Sequence, residues 1–247
     1  MRDLQDYGKQ YGDYPFEHVL VHYRKRKIIE VLKDTGSRRI LEIGCGMDPF
    51  FLHYEDYDHF CVVEPVGEFY DNACQARDRS GARERIHVRK STLERDLDFL
   101  QSEAFDTILL AGLLHEVEQP EGLLKAVRQV AGPKTLLHVN VPNANSLHRL
   151  VALSAGMIKS TSENSDFNIR FQQNTVFHMD ALTAMMSRCG YRIQDSGTVF
   201  LKPFTHSQMQ RMLDMELLDA QVLEGLYGLT DQFPENGAEL FVNAVPA

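Results

Sequence analysis

Gly44 and Gly46 flank a single cysteine where an apolar run stops, in the stretch Arg39-Ile40-Leu41-Glu42-Ile43-Gly44-Cys45-Gly46-Met47-Asp48. Two glycines one residue apart, with an acid just before them, leave bare backbone at the end of a strand. Glycine lets the backbone come close to a ligand and adopt otherwise strained angles. A helix N-terminus after such a turn favours a negatively charged group. A second acid, Glu64, ends the next apolar run, "CVVEP", about 20 residues on, the spacing at which a carboxylate grips ribose hydroxyls in nucleotide-type sites. The pattern G-x-G-x-x-G of dinucleotide sites is incomplete here, because Pro49 stands where the third glycine belongs.

Acid–base chemistry has several candidates. His115 follows the fourth apolar run and His148 the fifth, both at the edge where a substrate would lie. An imidazole titrating near neutrality suits a general base or a substrate anchor. The alternatives are a polar residue bonding local backbone for His115 and an exposed helix residue for His148. His206 follows "FLKPFT", near a strand end. His22 and Tyr23 sit on an N-terminal helix, and Asn143 ends the fifth run. Arg149 and Arg170 flank a polar segment and could hold a phosphate or carboxylate, or pair with surface acids. Phe167, Phe171 and Phe177 could wall an aromatic acceptor or pack that segment down. His138 lies inside an apolar run and reads as a satisfied core histidine. The four cysteines, at 45, 61, 74 and 189, form no C-x-x-C pair, so reduced thiols and no metal site are expected.

These residues need elements to place them. Apolar residues recur at helical spacing from Phe16 to about Leu32. Short apolar runs at 40–44, 59–65, 85–91, 105–112 and 135–142 then read as strands, with helices through Phe69 and Cys74 and through Leu123 to Ala131. Regular alternation argues a parallel sheet covered on both faces. Beyond Asn143 the rhythm changes. A helix-like piece (Leu147, Leu150, Val151, Leu153) leads into "KSTSENSDFNIRFQQNT", too long and aperiodic for a simple connection, and a lid over 143–178 is expected. A helix at 180–189 ends at Gly190. "YRIQDSGTVFLKPF" reads as a strand, 209–226 as one long helix and 238–246 as a last strand, the two final strands pairing antiparallel.

The chain has 247 residues and a formal net charge of −9, with 43% hydrophobic and 25% charged residues. That composition fits one sizeable α/β domain over 1–247, with a cap helix in 1–36. No apolar run reaches the ~18 residues needed to span a bilayer. The polar N-terminus has no apolar signal core, which predicts a cytoplasmic location. Net acidity disfavours nucleic acid as a partner. The Arg24-Lys25-Arg26-Lys27 cluster reads as a solvated helix face.

Taken together, "ILEIGCGMDP", "CVVEP", "FDTILLAGLLHEVEQPEGLLKAVRQV" and "LLHVNVPN" resemble successive motifs of the class I S-adenosylmethionine-dependent methyltransferases over about residues 38–143. The family often has glycine at the position of Asp48, and the connection from strand one to strand two is short here. The resemblance implies a Rossmann-like, doubly wound, mostly parallel seven-stranded sheet with a lid inserted after strand five. It implies S-adenosylmethionine as cofactor. Glu42, Gly44, Cys45 and Gly46 would frame its methionine part, and Glu64 would hold both ribose hydroxyls. Pro65 would border the adenine, and Thr92 and Leu93 would touch its edge. Ala111, Gly112 and Leu113 would line the sulfonium side. An acid at Glu42 could instead simply anchor a helix. A lid suits a small acceptor, so methyl transfer to N or O of a small polar metabolite (a heterocycle, sugar or natural-product intermediate) by a monomer or homodimer is expected. The alternatives are an RNA or protein methyltransferase and a non-catalytic scaffold of the same fold.

Overall fold

The computed structural model describes residues 16–163 and 175–247. Arg170, Phe167 and Phe171 lie outside the described residues. The chain begins with helix α1 (Glu17–Thr35), stopped by Gly36 in the left-handed region at φ 63°. Strand β1 (Arg39–Ile43) follows, then β2 (His59–Val63), α2 (Gly67–Arg79), β3 (Ile86–Arg89), α3 (Leu97–Ser102), β4 (Thr107–Ala111), α4 (Pro120–Val130) and β5 (Leu136–Pro142). The last third holds α5 (Leu147–Ser154), α6 (Met179–Arg188), β6 (Tyr191–Val199), α7 (His206–Asp214), α8 (Ala220–Gly228) and β7 (Glu239–Pro246).

The seven strands form one sheet in the order β3-β2-β1-β4-β5-β7-β6. The first five run parallel, and β7 pairs antiparallel with both β5 and β6. The expected doubly wound sheet and its antiparallel ending are therefore present. Strand order reverses between β1 and β4, and in such sheets ligands bind beyond the carboxyl ends of the strands at that point.

Each sheet face is covered because successive residues of a strand point to opposite sides. Leu41 and Ile43 of β1 pack with Leu124, Val127 and Met186. Ile40 packs on the other side with Ile28 and Leu32 of α1. Continuous apolar strands follow from burial on both faces. His138 of β5 is a buried core histidine, as its position suggests, and burial pushes its pKa down to about 4; it is only half satisfied, with Nδ1 2.7 Å from Asn243 Oδ1 and Nε2 buried without a hydrogen-bond partner.

Three elements differ from the sequence expectation. Between β1 and β2 there is no α-helix, only a three-residue 3₁₀ turn, Phe50–Leu52, because just fifteen residues separate Ile43 from His59 and four aromatic side chains (Phe50, Phe51, Tyr54 and Tyr57) fill that space against the sheet. The single helix expected over 209–226 is two. Glu216 stands in the left-handed region at φ 58°, and each helix has its own N-cap: Thr205 in a reciprocal capping box with Gln208, and Asp219 accepting from Val222 N. Strand β6 ends at Val199, since Phe200 turns left-handed at φ 57° and offers its carbonyl to Ala238 N at 2.7 Å.

That crossing of β6 into the loop before β7 leaves little room at Gly237. A Cβ there would lie 2.5 Å from Thr198 Oγ1 and 2.9 Å from Val199 N. Gly237→Ala is expected to cost about 1–3 kcal/mol by overpacking, read as a lowered midpoint in urea unfolding with unchanged slope.

Candidate functional site

A cavity of about 890 Å³ opens at the carboxyl ends of β1, β2, β4 and β5. Its floor is the glycine turn. Gly44 has φ 74° and Gly46 φ 59°, and a Cβ on Gly44 would meet Leu113 Cδ2 at 3.3 Å. The turn is held from beneath by Glu64, a buried carboxylate. One of its oxygens accepts from Cys45 N at 3.0 Å and Gly46 N at 3.3 Å, and the other from Val66 N at 2.8 Å. Burial raises the Glu64 pKa and these three amides oppose the rise. Glu42 sits one strand away, and both of its oxygens lie within 3.2 Å of Phe50 N. It thus anchors the 3₁₀ turn while its side chain borders the cavity.

The remaining residues assigned to the cofactor by resemblance come together around this floor. Cys45, Pro65, Thr92, Leu93, Ala111, Gly112 and Leu113 all line the same cavity. Gly112 also turns left-handed at φ 72°, and a Cβ there would lie 3.4 Å from Arg24 Nη1. Asp48 has a structural task. It accepts from Lys25 and His53, and although burial opposes its ionisation, those bonds outweigh it and hold its pKa down to about 2. The Asp48 carbonyl takes a further bond from Lys25 Nζ at 2.7 Å, so α1 is tied directly to the turn.

Helix α1 covers the cavity with one face: Glu17, Leu20, Val21, Arg24, Lys25 and Ile28, a run of i, i+3 and i+4 neighbours. His22 and Tyr23 fall off that face and do not line the cavity. Tyr23 stacks between Phe200 and Tyr227, each ring 4.9 Å away, and its hydroxyl donates to Glu224 at 3.1 Å. His22 packs edge-on against Tyr23. The expectation that these two meet the substrate is corrected by helical phase.

The far half of the cavity holds the other candidates. His115, Asn143, His148, Arg149 and His206 all border it. Asn143 has little left to offer a ligand: its amide donates to the Glu235 and Gly237 carbonyls at 2.9 and 2.8 Å, and its oxygen accepts from Asn145 N at 2.8 Å. It pins the loop before β7 instead. Burial, then the neighbouring Lys202, His206 and Arg149, push the His148 pKa down to about 2. An imidazole in that field holds its neutral form and is a poor proton acceptor, so His148 suits hydrogen bonding rather than the base role. His115 is buried at the cavity wall, with Nε2 3.8 Å from Glu116 Oε1. Ala152, Met157, Ile158, Thr175 and Val176 also line the space.

Three charged residues here escaped the sequence reading, Lys202, Glu239 and Glu17, and a fourth, Arg24, expected on a solvated helix face, turns inward instead. Arg24 clasps Glu239 through two bonds, one of them Nε–Oε2 at 2.9 Å, and reaches Glu17 at 3.1 Å. Lys202 is buried, with Nζ 3.0 Å from His206 Nδ1. A lone charge inside an apolar run, as in "FLKPF" or "AELFVNAV", was the available signal, since charged residues are seldom buried without a reason.

Residues 20–196 match the model of a family described as "Methyltransferase domain". The chain belongs to this family. S-adenosylmethionine is the cofactor that membership implies. The uncharacterised protein syc1184_c of Synechococcus sp. (strain ATCC 27144 / PCC 6301 / SAUG 1402/1) is 30% identical over 109 residues, 43% of this chain, and the chain spans 26% of that relative's length. Among solved structures, the plantazolicin methyltransferase BamL, in complex with a triazolic desmethylPZN analogue and S-adenosylhomocysteine, superposes with a TM-score of 0.58 at 12% identity, covering 98% of this chain and 96% of that one. The N-methyltransferase NodS of Bradyrhizobium japonicum WM9, with S-adenosylhomocysteine, gives 0.55 at 15% identity, covering 95% and 89%. The [4+2]-cyclase SpnF gives 0.56 at 12% identity, covering 89% and 80%. At these identities the likeness is one of fold.

The site makes its own prediction about pH. Burial raises the Glu42 pKa from its usual 4.5 to about 8, against the opposing pull of Phe50 N and Lys25. A group raised in the folded state stabilises fully below its unfolded value and loses that contribution as pH climbs toward the folded one. Glu42→Gln keeps an acceptor for Phe50 N and cannot ionise. Its melting temperature relative to the parent is expected to be higher at pH 8 than at pH 5, measured by calorimetry; an equal difference at both pH values contradicts the assignment.

Proposed function

We propose that the protein is an S-adenosylmethionine-dependent methyltransferase acting on N or O of a small polar acceptor. The observation that carries this reading is the Glu64 carboxylate. It is buried at the end of β2 and bonded to the amides of Cys45 and Gly46, so the acid and the glycine turn form a single rigid edge of the cavity. A carboxylate so placed would hold ribose hydroxyls, with Pro65, Phe69 and Leu93 as the apolar neighbours of a purine. Gly44, Cys45, Gly46 and Leu113 would border the methionine part. When bound, the cofactor supplies an electrophilic methyl group on a positively charged sulfur.

The work left to the chain is positioning. Aligning two reactants in an attack geometry is worth up to about 7–11 kcal/mol. The cavity volume of about 890 Å³ is nearly three times the lower end of the range of about 300–1,000 Å³ for single small-molecule sites, which leaves room for an acceptor beside the cofactor. In this reading the segment from Asn143 to His178 acts as a lid: Ala152, Met157, Ile158, Thr175 and Val176 line the far half of the cavity, and closure over a small molecule would exclude water. His115 is the base where an acceptor hydroxyl must lose its proton. A neutral amine or a heterocyclic nitrogen needs no strong base, since its lone pair is free to attack. Because a cyclase shares this fold, methyl transfer rests on the site and not on the architecture.

The test uses S-adenosylhomocysteine as probe. Wild-type protein is expected to bind it one-to-one in calorimetric titration, and Glu64→Gln to weaken binding by about tenfold or more, the scale of a lost hydrogen bond to a charged group. Equal affinity of the two would remove Glu64 from the cofactor site. No binding by the folded wild type would sink the methyltransferase reading.

A further inference from the structure

The half of the cavity away from the glycine turn holds two cationic side chains, Lys202 and Arg149, that no carboxylate of the described residues touches directly. Lys202 is buried at 1% exposure and faces this space. At hydrogen-bond distance it meets an imidazole, His206, and no carboxylate lies within ion-pair distance among the described residues. Arg149 borders the same space, and its guanidinium bonds the carbonyls of Thr161 and Glu163 and no carboxylate. The nearest acids, Glu17 and Glu239, favour the charged form of Lys202 from a distance, but both bond Arg24, and the second Glu17 oxygen stands 3.9 Å from His206 Nε2. His148 Nδ1 is buried without a hydrogen-bond partner.

The backbone adds to this field. Helices α5 and α7 both begin here: His148 and Arg149 stand in the first turn of α5, and His206 and Ser207 in that of α7. A helix N-terminus carries a partial positive charge, and neither first turn contains an acid. A buried cation without a counter-ion is costly. Burial lowers the Lys202 pKa to about 7, the expected response to such a site. The walls between are largely apolar, from Leu20, Val21, Ala152, Met157 and Val176.

We propose that the methyl acceptor bears an acidic group, a carboxylate or a phosphate, that docks between Lys202, Arg149 and His148 at the starts of α5 and α7. This rests on the methyltransferase reading for the word acceptor, but the anion subsite stands on its own geometry. The acidic group supplies the direct anionic contact that Lys202 and Arg149 lack, and the apolar walls take the body of the molecule, so the acceptor is an acid with an apolar part and not a neutral polar metabolite.

The experiment is calorimetric titration of the protein saturated with S-adenosylhomocysteine, using benzoate, inorganic phosphate and the neutral benzamide as probes. Binding of benzoate or phosphate one-to-one is expected, with benzamide weaker by about tenfold or more. Benzoate alone binding would mark a carboxylate acceptor, and phosphate alone a phosphorylated one. Lys202→Met, which fits a buried position, is expected to weaken the anion by about tenfold or more and to leave S-adenosylhomocysteine affinity within about twofold. Should that variant not fold, Arg149→Gln on the half-buried flank gives the same readout. Binding of neither anion, benzamide binding as well as benzoate, or unchanged anion affinity in the folded variant overturns the proposal. Failure to bind S-adenosylhomocysteine is a separate result, which strikes the methyltransferase reading, and the anion titration of the cofactor-free protein then still decides the subsite.

Discussion

Glu64 ends a strand in the interior, where an ionised carboxylate is tolerated only if donors surround it. The donors come from the glycine turn after β1 and from the first residues after β2. One side chain therefore fixes the relation between two strand ends, and the positive-φ glycines are what allow the turn to present its amides to it. The floor of the cavity depends on that single constraint. It also explains why Cys45 is inert: burial, with Glu42 and Glu64 beside it, pushes its thiol far above the usual range, so a reactive thiolate plays no part.

The cover over that floor is helix α1, fastened at two points. Lys25 reaches the glycine turn through Asp48, and Arg24 reaches β7 through Glu239. These two adjacent residues straddle the cavity, one tied to each half. The basic cluster of which they are part is thus divided. Arg26 pairs with Glu224 near the surface, as a solvated helix face should, whereas Lys25 and Arg24 are drawn inward by acids distant in sequence. Surface pairs of the first kind contribute little; the partly buried pairs organise the site.

Most of the fold was legible because it rests on local pattern. The apolar runs that became β1 to β5, and the alternation with helices, follow from strands buried on both faces. The glycine turn and Glu64 were legible for the same reason, being consecutive in motif and fixed by topology. What could not be read depends on helical phase or on distant pairing. Tyr23 and Arg24 are neighbours in sequence, yet one turns into an aromatic stack and the other over Gly112. Lys202 draws its meaning from Glu17, Glu239 and Arg149, three residues remote along the chain. The break at Glu216 was missed because the apolar pattern continues across it, although Thr205 with Gln208, and then Asp219, marked two separate helix starts.

The account as a whole rests on the claim that a nucleoside cofactor lies against the glycine turn with its ribose at Glu64. A crystal structure of the protein grown with S-adenosylhomocysteine tests this most directly. The predicted result is the ligand in the cavity described here, its ribose hydroxyls within hydrogen-bond distance of Glu64 and its amino-acid end beside Gly44 to Gly46. A ligand bound elsewhere on the chain, or one in this cavity whose ribose makes no contact with Glu64, would contradict it.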